Sequence, residues 1–319
     1  MLEGEGKMIR VENLTKVFTS GGIFSKNTIV AVDGVDFEIK KSEILALVGE
    51  SGSGKSTIGK MMLKLLKPSG GQILLNDKDI YKIKNNKEFY SKVQGIFQDP
   101  YSSFNPIFKV DRIFKLIKQS FKKEVSSSEW EGRVEEVLKK VGLNVGDVLN
   151  KYIHQLSGGQ LQRLLIARAL LMDVDVLIAD EITSMLDAST RVDVLEALLS
   201  LKEIGASILF ITHDLSQAYY MSDKIVVLYK GSVVESGSIE KVFSNPMHPY
   251  TRMLLDSIPQ LDRKWEEDRI SVEDFDKSRA AWKEGLCKYI DRCPLADLNC
   301  VRPKLKLVEE DHYVACVKM

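Results

Sequence analysis

The sequence predicts an α/β fold: a mostly parallel sheet covered by helices on both faces. Three observations lead there. Ile44–Val48, Val174–Ala179 and Ser207–Ile211 are short apolar runs rich in Val, Ile and Leu, with Asp175 the one charge among them. Strands buried on both faces read this way, because neither face needs polar positions. Each run ends in polar residues and leads toward helical spacing, as in Lys55–Leu66 and Ser189–Leu201. Repeated strand–loop–helix units put the active loops at the carboxyl ends of the strands. The hydrophobic fraction, 44%, supplies an ordinary globular core.

The flanking elements differ in kind. Met8–Asn13, Ala31–Ile39 and Gln72–Asn76 read as antiparallel strands, with Gly21-Gly22 in a loop. Residues 101–155 are rich in helix formers, and Asp111–Lys122 and Ser128–Val141 are the helices expected of an insert between the two halves of the sheet. Lys224–Tyr229, a turn at Lys230-Gly231 and Ser232–Glu235 form a last hairpin. The two prolines of Asn245-Pro246-Met247-His248-Pro249-Tyr250 mark a boundary. It divides the chain into an expected first domain, 1–244, and an extension, 245–319. Residues 261–280 carry 12 charged side chains, the pattern of a solvated linker or surface helix.

Lys+Arg and Asp+Glu both number 45, so no dominant nucleic-acid footprint is expected. The first residues are polar and lack the apolar stretch of a secretory signal. No apolar run reaches the ~18 residues that cross a bilayer. A soluble or peripheral chain is expected, with any membrane role exercised through a partner.

The residues that carry chemistry follow in order. Gly49-Glu50-Ser51-Gly52-Ser53-Gly54-Lys55-Ser56 fits G-x-x-x-x-G-K-[ST] and lies between an apolar strand and a helix. Gly49, Gly52 and Gly54 let backbone N–H groups turn onto phosphate oxygens, beside Ser51, and the helix start adds its positive dipole end. Lys55 is a point charge for the β and γ phosphates of ATP. Ser56 offers a hydroxyl to Mg²⁺, and Thr57 adds a phosphate contact. Asp180-Glu181 ends an apolar strand, so Asp180 is expected to hold Mg²⁺ through water and Glu181 to orient the attacking water. His213, after Ser207–Ile211 and Thr212, is expected to meet the γ phosphate. Gln98 ends the run Val93–Phe97 and is expected to reach the metal or the water through its amide.

Leu156-Ser157-Gly158-Gly159-Gln160 forms a second anion site at a helix start. One nucleotide does not need two such sites from one chain. A head-to-tail dimer does, each chain's serine–glycine turn closing over the other's phosphate loop.

In this order the motifs resemble those of the ATP-binding subunits of ABC transporters, over about residues 8–240. The resemblance implies a RecA-like parallel core, an antiparallel β subdomain and a helical signature subdomain at about 101–165. It implies that Glu181 is the catalytic glutamate and that Asp187 communicates between the two sites. It also implies that Phe18 stacks on adenine. Where the family usually has Pro-Thr-Ser-Ala after the glutamate, this chain has Ile182-Thr183-Ser184-Met185. Neither changed position should touch the chemistry directly.

A narrower resemblance, to the oligopeptide/dipeptide permease branch, rests on Asn245–Thr251, on Gln98–Pro106 and on the clustered cysteines of the tail. It implies a cytoplasmic-face ATPase subunit of an importer, paired with a homologous second ATPase subunit as a heterodimer. Two transmembrane permease subunits and an extracytoplasmic substrate-binding protein complete the set. Oligopeptides or dipeptides are the expected cargo. Oligosaccharides of the cello-oligosaccharide or β-glucoside type are the alternative, since the branch includes such importers. A soluble ABC-type ATPase and a non-hydrolysing regulatory subunit are the rival readings.

All four cysteines, Cys287, Cys293, Cys300 and Cys316, lie between residue 287 and the C-terminus, separated by five, six and fifteen residues. Four thiolates suit a [4Fe–4S] cluster, which some relatives bind there, and the spacing is not that of common zinc pairs. Another metal such as zinc, or four unligated thiols, remain alternatives. A structural staple is the expected role of a cluster in so small a tail.

Overall fold

The computed structural model describes residues 7–20, 27–258, 285–297 and 299–318. The Gly21-Gly22 loop and the charged stretch 261–280 lie outside the described residues. The strands are β1 (Lys7–Ser20), β2 (Asn27–Lys40), β3 (Ile44–Val48), β4 (Gly70–Leu75), β5 (Lys78–Asp79), β6 (Val93–Ile96), β7 (Val176–Asp180), β8 (Ser207–Ile211), β9 (Lys224–Tyr229), β10 (Ser232–Ser238), β11 (Lys306–Glu309) and β12 (His312–Val314). The α-helices are α1 (Lys55–Met62), α2 (Asn86–Lys92), α3 (Asp111–Phe121), α4 (Ser127–Lys140), α5 (Val145–Val148), α6 (Gly158–Met172), α7 (Ala188–Glu203), α8 (Leu215–Met221), α9 (Ile239–Ser244) and α10 (Pro249–Asp256).

Two sheets form. The first, β2-β1-β4-β5, is antiparallel, as the N-terminal pattern predicts. The second runs β11-β12-β10-β9-β3-β8-β7-β6, parallel from β9 to β6 and antiparallel from β9 to β11. Every residue of β3, β7 and β8 is buried. Alternate side chains feed different cores. Val176 and Ile178 pack with α1 and the antiparallel sheet, whereas Leu177 and Ala179 pack with α3, α4, α6 and α7.

The helical insert follows the same logic. In α4, Trp130, Val134 and Leu138 recur every four residues and form one buried stripe. Ser126 caps that helix, accepting from the Glu129 N–H. Near β7 the boundary differs from the expected Val174–Ala179. Asp173 ends α6 with φ 54°, and the strand begins at Val176 and takes in Asp180.

The tail departs most from the sequence pattern. β12 pairs with β10, Glu235 opposite Val314, so residues 306–314 continue the main sheet. Glu235, fully buried, accepts from the N–H groups of Met247 and His248 and lies 2.8 Å from His312 Nε2.

Candidate nucleotide and catalytic site

β3 ends at Val48 and the chain passes straight into the loop Gly49–Gly54. Gly49 has φ +147°, and a Cβ there would stand 2.1 Å from the Leu228 carbonyl oxygen. Gly54 has φ +106° and would put its Cβ 2.5 Å from the Ala31 carbonyl oxygen. The loop runs so close to β9 and β2 that only glycine fits. Ser51 and Gly52 are exposed at its mouth, and Ser56 and Thr57 lie on the first turn of α1. That turn leaves its amides free for an anion.

Lys55 is buried and donates from Nζ to the carbonyl oxygens of Gly49 (2.7 Å) and Glu50 (3.0 Å). Burial draws its pKa down, against the pull of Glu181, Asp180 and Glu50. Ser56 Oγ donates to Asp180 Oδ1 at 3.0 Å, so the first turn of α1 meets the end of β7. Burial pushes the Asp180 carboxyl up, opposed by the Ser56 hydrogen bond and reinforced by Glu181.

Glu181 has φ +50°, a conformation that non-glycine residues seldom take and that often marks functional sites. Its N–H donates to the Ile211 carbonyl at 2.9 Å, and its carbonyl accepts from the Ser184 N–H and hydroxyl. This backbone arrangement leaves Glu181 Oε2 3.5 Å from His213 Nδ1. Both side chains line a small cavity with Thr183, Ser184, Arg191, Thr212, Asp214 and Gln217.

None of those six residues was given a site role from the sequence. Thr183 Oγ1 donates to Gln217 Oε1 (2.6 Å), and Gln217 Nε2 donates to Asp214 Oδ2 (2.7 Å). Arg191 bridges to Asp214 (3.8 Å) and donates to the Leu186 carbonyl. Asp214 carries a local signal, a helix cap just before Leu215–Met221. Gln217 and Arg191 carry none. Ile182 is buried in the core and Met185 is 66% exposed, so the two positions that depart from the family pattern face opposite environments.

Gln98 is exposed just beyond β6. Among the described residues, no hydrogen bond joins its side chain to Ser56, Asp180 or Glu181. Its backbone is held instead: Gln162, buried in α6, donates from Nε2 to the carbonyls of Phe97 (3.0 Å) and Gln98 (3.3 Å). Gln162 is a further contact that the sequence pattern missed.

Ser157 caps α6. Its Oγ accepts from the Gln160 N–H, and Gln160 Oε1 accepts from the Ser157 N–H. Gly158 and Gly159 follow in the first turn, and a Cβ on Gly159 would lie 1.9 Å from Thr190 Cγ2. Among the described residues, this turn makes no hydrogen bond to the Gly49–Ser56 loop of the same chain. Asp187 caps α7, accepting from the Thr190 N–H and from the hydroxyls of Ser189 and Thr190. These bonds, led by Ser189, hold its carboxyl well below the usual range. Phe18 is 41% exposed on β1, with Lys16 Nζ 5.1 Å from the ring centre.

The four cysteines are free thiols that line one cavity beside His248 and Tyr289. Among the described residues, no three His, Cys, Asp or Glu side chains are drawn together to hold a metal ion. Backbone N–H groups reach every sulfur: those of Tyr289 and Leu295 reach Cys287 and Cys293, and those of Asp297 and Lys318 reach Cys300 and Cys316. Burial pushes the Cys287 and Cys293 thiols up, with the neighbouring thiols adding to it. No helix among the described residues is long and apolar enough to cross a membrane.

The ABC transporter family matches residues 32–184, and the oligopeptide/dipeptide transporter C-terminal region matches residues 234–300. The oligopeptide transport ATP-binding protein OppF of Bacillus subtilis (strain 168) is 41% identical over 283 residues, 88% of this chain and 91% of that protein. OppF of Haemophilus influenzae is 36% identical and covers 98% of this chain and 95% of its own length. Among solved structures, the dimeric post-hydrolysis form of the ATP-binding cassette MJ0796 with ADP and Pi superposes with a TM-score of 0.64. It is 28% identical, over 73% of this chain and 99% of that one. Phosphate loop, fold and similarity along nearly the whole length agree: this chain belongs to the ATP-binding proteins of ABC transporters, in the branch with the oligopeptide/dipeptide C-terminal region, and it is an ATPase.

Proposed function

We propose that this subunit hydrolyses ATP to drive uptake of short peptides through a pair of transmembrane permease subunits. The observation that carries this reading is similarity to oligopeptide transport ATP-binding proteins through both the cassette and the C-terminal region. An extracytoplasmic binding protein would deliver the peptide, and a homologous second ATPase subunit would complete a heterodimer. The Ser157–Gln160 turn, exposed at Ser157 and not hydrogen-bonded to the Gly49–Ser56 loop of its own chain, supports closure over a partner's nucleotide.

In this reading Gly49, Ser51, Gly52, Gly54, Lys55 and Thr57 cradle the phosphates. Ser56, Asp180 and Gln98 hold Mg²⁺, which neutralises charge on the phosphates. The Ser56–Asp180 hydrogen bond supports the first two, since it joins a hydroxyl and a carboxylate of the kind Mg²⁺ prefers. Glu181 orients and polarises the attacking water, and His213 meets the γ phosphate. Phe18 stacks on adenine. Ser157, Gly158, Gly159 and Gln160 receive the partner's nucleotide, and Asp187 links the two sites.

The cysteine cavity is proposed to hold a [4Fe–4S] cluster as a staple for the extension, residues 245–319. A cubane spreads its thiolates over its corners, whereas one zinc ion draws them to a point. Four thiols around one cavity, each met by a backbone N–H, fit the first arrangement.

The test is reconstitution in liposomes with the neighbouring permease and binding proteins. Short peptides are expected to stimulate ATP hydrolysis. Stimulation by cello-oligosaccharides alone would overturn the peptide reading and keep the ATPase.

A further inference from the structure

We propose that Tyr250 and Arg292, both in the C-terminal segment, position the phosphate cradle by gripping Glu50. The inference rests on reading Gly49–Ser56 as that cradle. Glu50 is the second residue of the loop, and the segment takes hold of both its backbone and its side chain. The Glu50 N–H donates to the Tyr250 hydroxyl at 2.8 Å. The Glu50 carboxylate receives Arg292 Nη1 on both oxygens, at 2.9 Å each.

The peptide plane makes the connection to Lys55. The Glu50 N–H and the Gly49 carbonyl belong to one rigid peptide unit. Tyr250 holds its N–H side, and Lys55 Nζ donates to its carbonyl at 2.7 Å. A rotation of this unit therefore moves the acceptor that seats the lysine. Glycines at 49, 52 and 54, all at positive φ, leave the loop few conformational limits of its own. An outside restraint has most to contribute in such a loop.

The restraint is itself well anchored. Tyr250 is fully buried, its ring 4.6 Å from that of Tyr229 and 5.4 Å from that of Tyr289. Tyr229 ends β9, and the turn after it returns to the loop, where the Gly231 N–H donates to the Ser53 carbonyl. Arg292 closes the 3-10 turn Ile290–Arg292, between Cys287 and Cys293. Its second nitrogen, Nη2, contacts Met253 Sδ at 3.3 Å. Lys288 of the same segment donates to the Lys230 carbonyl and pairs with Asp33 at 2.8 Å. The cradle is thus walled on one side by the extension.

A restraint that favours the nucleotide-bound ground state and the transition state equally, relative to the free enzyme, shows in KM rather than kcat. Tyr250→Phe and Arg292→Gln are each expected to raise KM for ATP by roughly 3- to 10-fold, the span of one lost hydrogen bond. Little change in kcat is expected. Arg292→Lys, which keeps a charged nitrogen for Glu50, is expected to restore most of the affinity. Glu50→Gln combined with Arg292→Gln is expected to be no worse than Arg292→Gln alone.

Steady-state ATPase assays and titration with a fluorescent ATP analogue on the full chain read these effects, beside thermal melts that show each variant folded. If Tyr250→Phe does not fold, the arginine variants decide. Unchanged KM in folded Arg292→Gln, or no rescue by lysine, overturns the proposal. Lys55→Ala, run in parallel, tests the cradle by itself: retained nucleotide binding there would remove the cradle reading, whatever the clamp variants do.

Discussion

Glu181 and His213 face each other across the ends of two adjacent strands, Oε2 to Nδ1 at 3.5 Å. The Glu181 backbone is bent to φ +50° and tied to the Ile211 carbonyl, so the carboxylate is held rather than free to wander. A positioned base loses its function when its charge is removed, even if its shape is kept. Glu181→Gln is expected to cut ATP turnover by roughly 10²- to 10⁴-fold, with nucleotide affinity preserved. Phosphate-release kinetics and nucleotide titration check this, and near-normal turnover would remove Glu181 from the role of base.

Gly159 and Thr190 set how closely α6 and α7 approach. Gly159→Ala places a Cβ 1.9 Å from Thr190 Cγ2. The clash is expected to destabilise the chain by about 1–3 kcal/mol, as overpacked sites do. Thr190→Ser removes the offending methyl and keeps the hydroxyl that bonds Asp187. The double variant should therefore recover most of the lost stability in denaturant melts, and no recovery would place the strain elsewhere.

Thr183 and Gln217 are buried partners in the cavity that Glu181 and His213 line. Thr183→Val keeps the shape and leaves Gln217 Oε1 without its donor. The expected cost is about 1–3 kcal/mol in stability. Because Gln217 also donates to Asp214, next to His213, a fall in ATPase rate is expected with it. A variant of unchanged stability would show that Gln217 finds another donor.

His248 caps α10 as a neutral imidazole, its Nδ1 accepting from the Tyr250 N–H. Burial lowers its pKa from 6.5 to about 4. The unfolded chain therefore binds a proton between those values that the folded chain refuses. Stability from this group is present above about pH 6.5 and is lost as pH falls toward 4, by up to roughly 3 kcal/mol. His248→Asn keeps an acceptor for the cap without the titration. The variant should flatten the pH dependence of the melting temperature in that window, and an unchanged slope would exclude His248 as its source.

Iron content tests the cysteine cavity. Anaerobically reconstituted chain is expected to carry four irons, and Cys287→Ser or Cys316→Ser to lower that number. Zinc retained without iron would overturn the cluster.

The sequence alone determined the glycine-rich loop Gly49–Ser56, the buried strands and the order of the motifs. These features are local: glycine spacing, apolar runs and the polar residue after each strand are read within a few positions. Even the proximity of Glu181 and His213 was legible, because each follows a recognisable strand and the two strands are neighbours. Tertiary structure decided what depends on contact between distant segments. Gln162 meets the backbone of Gln98, and Gln217 meets Thr183, through hydrogen bonds that no local pattern announces. Pairing of β12 with β10 carries the C-terminal residues into the main sheet, although the prolines at 246 and 249 suggest a clean break. Arg292 reaches Glu50 across more than two hundred residues of chain. Periodicity shows which face a residue presents; only the folded chain shows which partner that face meets.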